Sequence, residues 1–92
     1  MQLKLKVVSS KQLLAMAVDQ LLTPTDKMPV TGYYFWPRTD AWNLLKTELE
    51  SKIWIWPSER KKILDEATYV INHWQNHAFL LALISLVYHS SL

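Results

Sequence analysis

The stretch Ser9-Ser10-Lys11-Gln12-Leu13-Leu14-Ala15-Met16-Ala17-Val18-Asp19-Gln20-Leu21-Leu22 governs how much of this chain is helical. Leu13, Leu14, Ala17, Val18, Leu21 and Leu22 recur at three- and four-residue spacing, the period of an amphipathic helix, and Ser9-Ser10 carries hydroxyls suited to an N-cap. A helix is therefore predicted from the serine pair to about Leu22, with its apolar stripe buried. Before it, Leu3, Leu5 and Val7 alternate with Gln2, Lys4 and Lys6, the period-two pattern of a strand with one buried and one wet face. Residues 2–8 are predicted to form an edge strand.

After it, Thr23-Pro24-Thr25 stops the helix, and Pro24, Pro29 and Gly32 make residues 23–37 a loop with a proline-restricted path. Thr39 or Asp40 can cap a second helix to about Ser51 that presents Ala41, Trp42, Leu45 and Leu49 on one side. Pro57, Ser58 and Glu59 open a third, carrying Ile63, Leu64, Ala67, Val70, Ile71 and Trp74. The expected class is α+β, a small single domain with one short N-terminal strand plus three helices over residues 1–77, followed by an apolar tail over 78–92. Within that tail Ala78–Tyr88 is a run of 11 residues without charge, shorter than the roughly 20 a bilayer requires. Contact with a partner is expected there.

Composition narrows the chemistry. The chain has 92 residues, half of them hydrophobic and five of them Trp, so it is expected to fold, with a modest core that assembly would reinforce. It has no Cys, which excludes disulfides, thiolate zinc sites and cysteine nucleophiles, and a single Gly, which excludes a phosphate-cradling glycine loop. The N-terminal alternation lacks the unbroken apolar run of a signal peptide, so secretion is not expected. Net charge is +2, but all ten Lys and Arg lie between Lys4 and Lys62 with six of the eight acidic residues, so that segment carries +4 and the remainder −2. Such a basic side either meets a polyanion or is simply solvated.

Four successive aromatics and a cation follow the proline-rich loop: Tyr33-Tyr34-Phe35-Trp36-Pro37-Arg38. Two readings stand. The rings can stack on unpaired bases while Arg38 reaches a phosphate, or they can supply the core of a small domain and leave Arg38 on the surface. Arg60-Lys61-Lys62 form a basic triplet in the first turns of the third helix, open to phosphates or to salt bridges with Glu59, Asp65 and Glu66. Lys4 and Lys6 are weaker candidates on the strand. His73 and His77 have a metal-compatible spacing but no acid beside the first and no further ligands, so no metal is expected. Asp65-Glu66, adjacent in sequence, point to different sides of a helix and make a poor catalytic pair.

The block Tyr33-Tyr34-Phe35-Trp36-Pro37-Arg38-Thr39-Asp40-Ala41-Trp42, with Leu45–Lys52 and Ala67–Gln75, resembles the third family of plastid-specific ribosomal proteins, found in chloroplasts and cyanobacteria. Ala15-Met16-Ala17-Val18-Asp19-Gln20 resembles a family segment expected to be a helix ending in Asp-Gln, so the likeness runs in order over roughly residues 3–75. Trp56-Pro57 and the apolar tail depart from it. The resemblance implies a structural constituent of the chloroplast small ribosomal subunit, located in the plastid stroma. It would bind rRNA of the small subunit and neighbouring small-subunit proteins, with no enzymatic activity, cofactor, membrane or small-molecule substrate. Tyr33, Tyr34, Trp36, Arg38, Arg60, Lys61 and Lys62 are the expected RNA or protein contacts. A transient assembly or translation-regulating factor, and a membrane-associated adaptor using the tail, are the alternative readings.

Overall fold

The computed structural model describes the backbone of residues 2–90 and the side chains of residues 2–77. Strands β1 (Gln2–Ser9), β2 (Leu14–Leu21), β3 (Lys27–Pro29) and β4 (Tyr34–Trp36) precede helices α1 (Ala41–Glu50) and α2 (Pro57–Ser90). The expected single strand and three helices are thus corrected to a four-stranded antiparallel sheet and two helices. The helix predicted from Ser9-Ser10 to Leu22 is instead β2, and the loop predicted over 23–37 contains β3 and β4.

The serines explain part of the correction. Ser10 Oγ accepts hydrogen bonds from the backbone N–H of Gln12 and Leu13 at 3.3 and 3.1 Å, while Ser10 N–H donates to Leu13 C=O at 2.8 Å. The hydroxyl that could cap a helix closes a hairpin turn, since both motifs satisfy backbone donors two or three residues on. The hairpin then zips through eight register pairs, from Ser9 opposite Leu14 to Gln2 opposite Leu21.

Placement explains the rest. β2 is central, flanked by β1 on one edge and by β3 and β4 in succession on the other. Leu14, Met16 and Val18 point into the core, and on the opposite face Ala17 and Asp19 are also buried. A strand covered on both faces carries no apolar–polar alternation, so its leucines and alanines fell by coincidence into a helical spacing. Between β3 and β4, Val30 N–H and Thr31 N–H both donate to Val18 C=O at 2.9 and 3.2 Å, and Thr31 Oγ1 accepts from Val18 N–H at 3.0 Å. The side chain of Thr31 thereby replaces a missing ladder partner in a buried place.

One face of the sheet receives both helices. Leu3, Leu14, Met16, Val18 and Val30 meet Ala41, Leu45 and Leu49 of α1 and Ile63, Leu64, Ala67 and Ile71 of α2, with Ile55 inserted from the connection. Asp40 caps α1, its Oδ1 accepting from Asn43 N–H at 3.1 Å. Polar bonds fasten α2 at three points. Glu59 Oε2 accepts from Leu3 N–H at 3.2 Å, Leu64 C=O accepts from Trp42 Nε1–H at 3.1 Å, and Ser10 C=O accepts from Trp74 Nε1–H at 2.9 Å. The first and last span about 22 Å of helix and about 23 Å of strand, so the Glu59–Trp74 part of α2 runs parallel to β1 along almost the whole length of the strand.

Among the described residues no helix is long and apolar enough to cross a membrane. The expected partner contact of the tail concerns side chains over 78–92, outside the described residues.

Replacing Leu45, fully buried, with Ala should cost about 2–5 kcal/mol in urea unfolding, whereas Ile53→Ala, at a site 97 % exposed, should stay within about 0.5 kcal/mol. Thr31→Val leaves the Val18 amide without its hydroxyl partner and should lower stability by about 1–3 kcal/mol in the same assay.

Candidate nucleic-acid interface

The aromatic block is divided by strand parity. Successive side chains of β4 point to opposite faces, so Tyr34 and Trp36 pack against the core on the helix side, whereas Phe35 and the preceding Tyr33 stand exposed. Tyr34 and Trp36 thus supply core, while Tyr33 and Phe35 remain on the surface. Trp36 Nε1 is buried without a hydrogen-bond partner among the described residues, beside a groove lined by Asp40, Asn43, Thr68 and Asn72.

The face turned away from the helices has its own chemistry. Pairing places Lys4 opposite Asp19, Lys6 opposite Ala17, Lys27 opposite Leu21 and Phe35 opposite Ala15, all on that face. Tyr33 and Phe35, each a little under half exposed, rise from one side of it and Lys4 from the other. Lys6 stands between them, its ammonium 5.3 Å from the centroid of the Tyr33 ring and 2.9 Å from Asp19 Oδ1. That carboxylate oxygen has no other polar partner among the described residues, so this ammonium alone balances it. The hydrogen bond to Asp19, aided by the carboxylate's charge, holds the Lys6 pKa above its ordinary value against the opposing pull of desolvation.

Arg38 sits at the tip of a turn in which Thr39 N–H and Thr39 Oγ1–H both donate to Phe35 C=O at 2.9 Å. The Trp36–Pro37 peptide bond within this turn is cis. The tight closure keeps Arg38, which is exposed, close along the chain to the Phe35 end of the sheet.

Arg60, Lys61 and Lys62 lie elsewhere. Glu59 bonds Leu3, whose register partner is Gln20, while Phe35 pairs with Ala15. The basic triplet and the aromatic block therefore belong to opposite ends of the sheet, about 17 Å apart along β2. Lys61 pairs with Asp65 at 2.7 Å, Lys62 is exposed and Arg60 is half-buried. His73 stacks on Tyr69, with centroids 6.1 Å apart and planes 11° from parallel. Phe35 and Lys27 are the members of this surface that sequence reasoning left out. Reading residues 33–36 with a period of two would have paired Phe35 with Tyr33.

A family model described as plastid and cyanobacterial ribosomal protein (PSRP-3 / Ycf65) matches residues 30–77, the segment that contains the aromatic block, α1 and the sheet-facing part of α2. A "Probable small ribosomal subunit protein cS23" of Synechococcus sp. (strain JA-3-3Ab) is 54% identical over 63 residues, covering 68% of this chain and 63% of the relative. "Small ribosomal subunit protein cS23" of Cyanidium caldarium is 42% identical over 76 residues, 83% of this chain and 74% of its own length. "Small ribosomal subunit protein cS23y" of Arabidopsis thaliana is 44% identical over 72 residues, 78% of this chain and 39% of the relative. The chain spans 63% of the length of each of the two Synechococcus relatives it matches.

The Lys6–Asp19 pair makes a signed prediction. Because the folded pKa of Lys6 is raised, its contribution is fully present below the unfolded lysine value of about 10.4 and is lost as pH rises through the folded value. Urea midpoints should therefore carry the pair's full contribution around neutral pH, unchanged by pH there, and fall above about pH 10.4, a decline that Lys6→Met should lack.

Proposed function

We propose that this chain, which belongs to the plastid and cyanobacterial ribosomal protein family (PSRP-3 / Ycf65), is a non-catalytic structural constituent of the plastid small ribosomal subunit. The observation that carries the reading is the family match over residues 30–77, supported by relatives whose names place them in the small ribosomal subunit. The partners proposed are rRNA of that subunit and neighbouring ribosomal proteins.

The open sheet face suits the RNA role. Exposed rings accept stacked, unpaired bases whatever their identity, and cations beside them neutralise the connecting phosphates. Tyr33 and Phe35 provide the rings; Arg38, Lys4 and Lys27 provide the charge, with Arg38 able to grip a phosphate bidentately. Lys6 is committed to Asp19 and stiffens the platform under Tyr33. Tyr34 and Trp36 contribute from the helix side by anchoring β4, so the outward rings are held at fixed positions. Arg60 and Lys62 form a second phosphate contact at the far end of the sheet, and Lys61 joins them when its pair with Asp65 opens.

Density-gradient fractions of an organelle lysate, quantified by mass spectrometry, test the assignment. The chain should track small subunits and whole ribosomes at near-equal stoichiometry; confinement to immature particles or free fractions would make it a transient assembly factor. Tyr33→Ala and Phe35→Ala should each weaken RNA attachment about tenfold with little change in stability. Arg38→Glu, or Arg60→Glu with Lys62→Glu, should lower the salt concentration at which the protein leaves the particle. Unchanged salt release would remove these residues from the interface.

A further inference from the structure

Among the described residues, the outer edge of β1 is left unpaired over its middle. Leu3 N–H donates away from β2 to Glu59, and Val18 N–H and C=O point toward β3 and β4. Together with the register these bonds fix the alternation: Gln2, Lys4, Lys6 and Val8 exchange bonds with β2, while Leu5, Val7 and Ser9 direct their N–H and C=O groups outward. Both ends of this edge are tied to α2, at Glu59 and at Trp74. Between the ties lies a groove lined by Leu5, Val7, Tyr69 and Val70 and bordered by Asp65 and Glu66. Tyr69 is 70 % exposed and Val7 41 %, and β1 has no proline to block pairing at this edge.

We propose that an extended peptide segment of another protein adds to β1 as a further strand, with apolar side chains entering the groove and a Lys or Arg meeting Glu66. The outward backbone groups of Leu5 and Val7 offer the main-chain bonds of strand addition, and alternate pockets select side chains. Charge identifies the occupant. Among the described residues the groove is lined by two carboxylates and no cation, Asp65 being shared with Lys61, so it repels a phosphate backbone and favours a basic peptide. A second copy of this chain fits poorly, because pairing β1 with β1 would set Lys4 and Lys6 of both copies on one face and oppose the two acidic borders. The inference concerns the edge opposite β4 and does not depend on the RNA reading of the open face.

The test uses the full chain in cells, with p-benzoylphenylalanine in place of Tyr69, irradiation, and sequencing of the cross-linked partner. The expected product is an adduct to one defined peptide of another protein, with alternating apolar residues and a Lys or Arg. Val7→Pro removes an outward N–H that β2 does not use, so the hairpin is kept while strand addition is blocked. With circular dichroism unchanged, the adduct should fall about tenfold. Should Val7→Pro not fold, Glu66→Lys on the exposed helix surface should produce the same drop. An adduct to RNA, an adduct to a second copy, no adduct, or an adduct that survives both substitutions would overturn the proposal. An adduct to a non-ribosomal protein, with the chain absent from small subunits, would sink the ribosomal reading and leave this one standing.

Discussion

Strand β2 must have its backbone paired on both edges while both of its faces are covered, and the rest of the structure answers that requirement. Val18 sits near its centre, fully buried, and an unpaired amide there would cost about 1–3 kcal/mol. β1 satisfies one edge through a continuous register. The other edge is satisfied by two short strands and, in the gap between them, by the backbone of Val30 and Thr31 and the hydroxyl of Thr31. The proline-rich segment that reads as a loop is therefore a third row of the sheet, interrupted where its own hydrogen bonding cannot be regular.

Covering the faces divides the molecule chemically. The helix side takes large aliphatic residues from both layers and most of the core, with Tyr34, Trp36, Trp42 and Trp74 sealing its margin. The indoles of Trp42 and Trp74 each donate one hydrogen bond to a carbonyl, so they fasten α2 while burying their rings, the dual role for which tryptophan is suited. A chain of this length has little core to spare, and such clamps set the angle at which α2 lies along β1. On the other face no helix packs: Ala17 and Asp19 are buried, with Lys6 paired to Asp19 above the strand. That face stays open to a partner, and it is there that Tyr33 and Phe35 emerge.

The same geometry separates two kinds of contact surface. Aromatic rings and lysines on the open face suit a polyanion with exposed bases, whereas the acidic groove beside the free edge of β1 suits a basic peptide. The sheet keeps these two surfaces of opposite sign apart by setting them on different sides of a single layer.

Residues with one buried and one wet side declared themselves in the sequence: the alternation of β1, the Asp40 cap of α1, the apolar stripe of α2, and the aromatic–arginine block that carries the family likeness. Segments whose surroundings come from distant parts of the chain did not. Residues 14–21 carry leucines and alanines compatible with either a helix or a fully covered strand, and Ser10 serves a helix cap and a hairpin turn with the same hydroxyl. Only pairing with β1, β3 and β4 selected the strand, because those partners satisfy its backbone on both edges. Likewise the composition of residues 33–38 announced rings beside a cation, but their division into Tyr34 and Trp36 within and Tyr33 and Phe35 without came from strand parity. That parity exists only once β4 is held against β2.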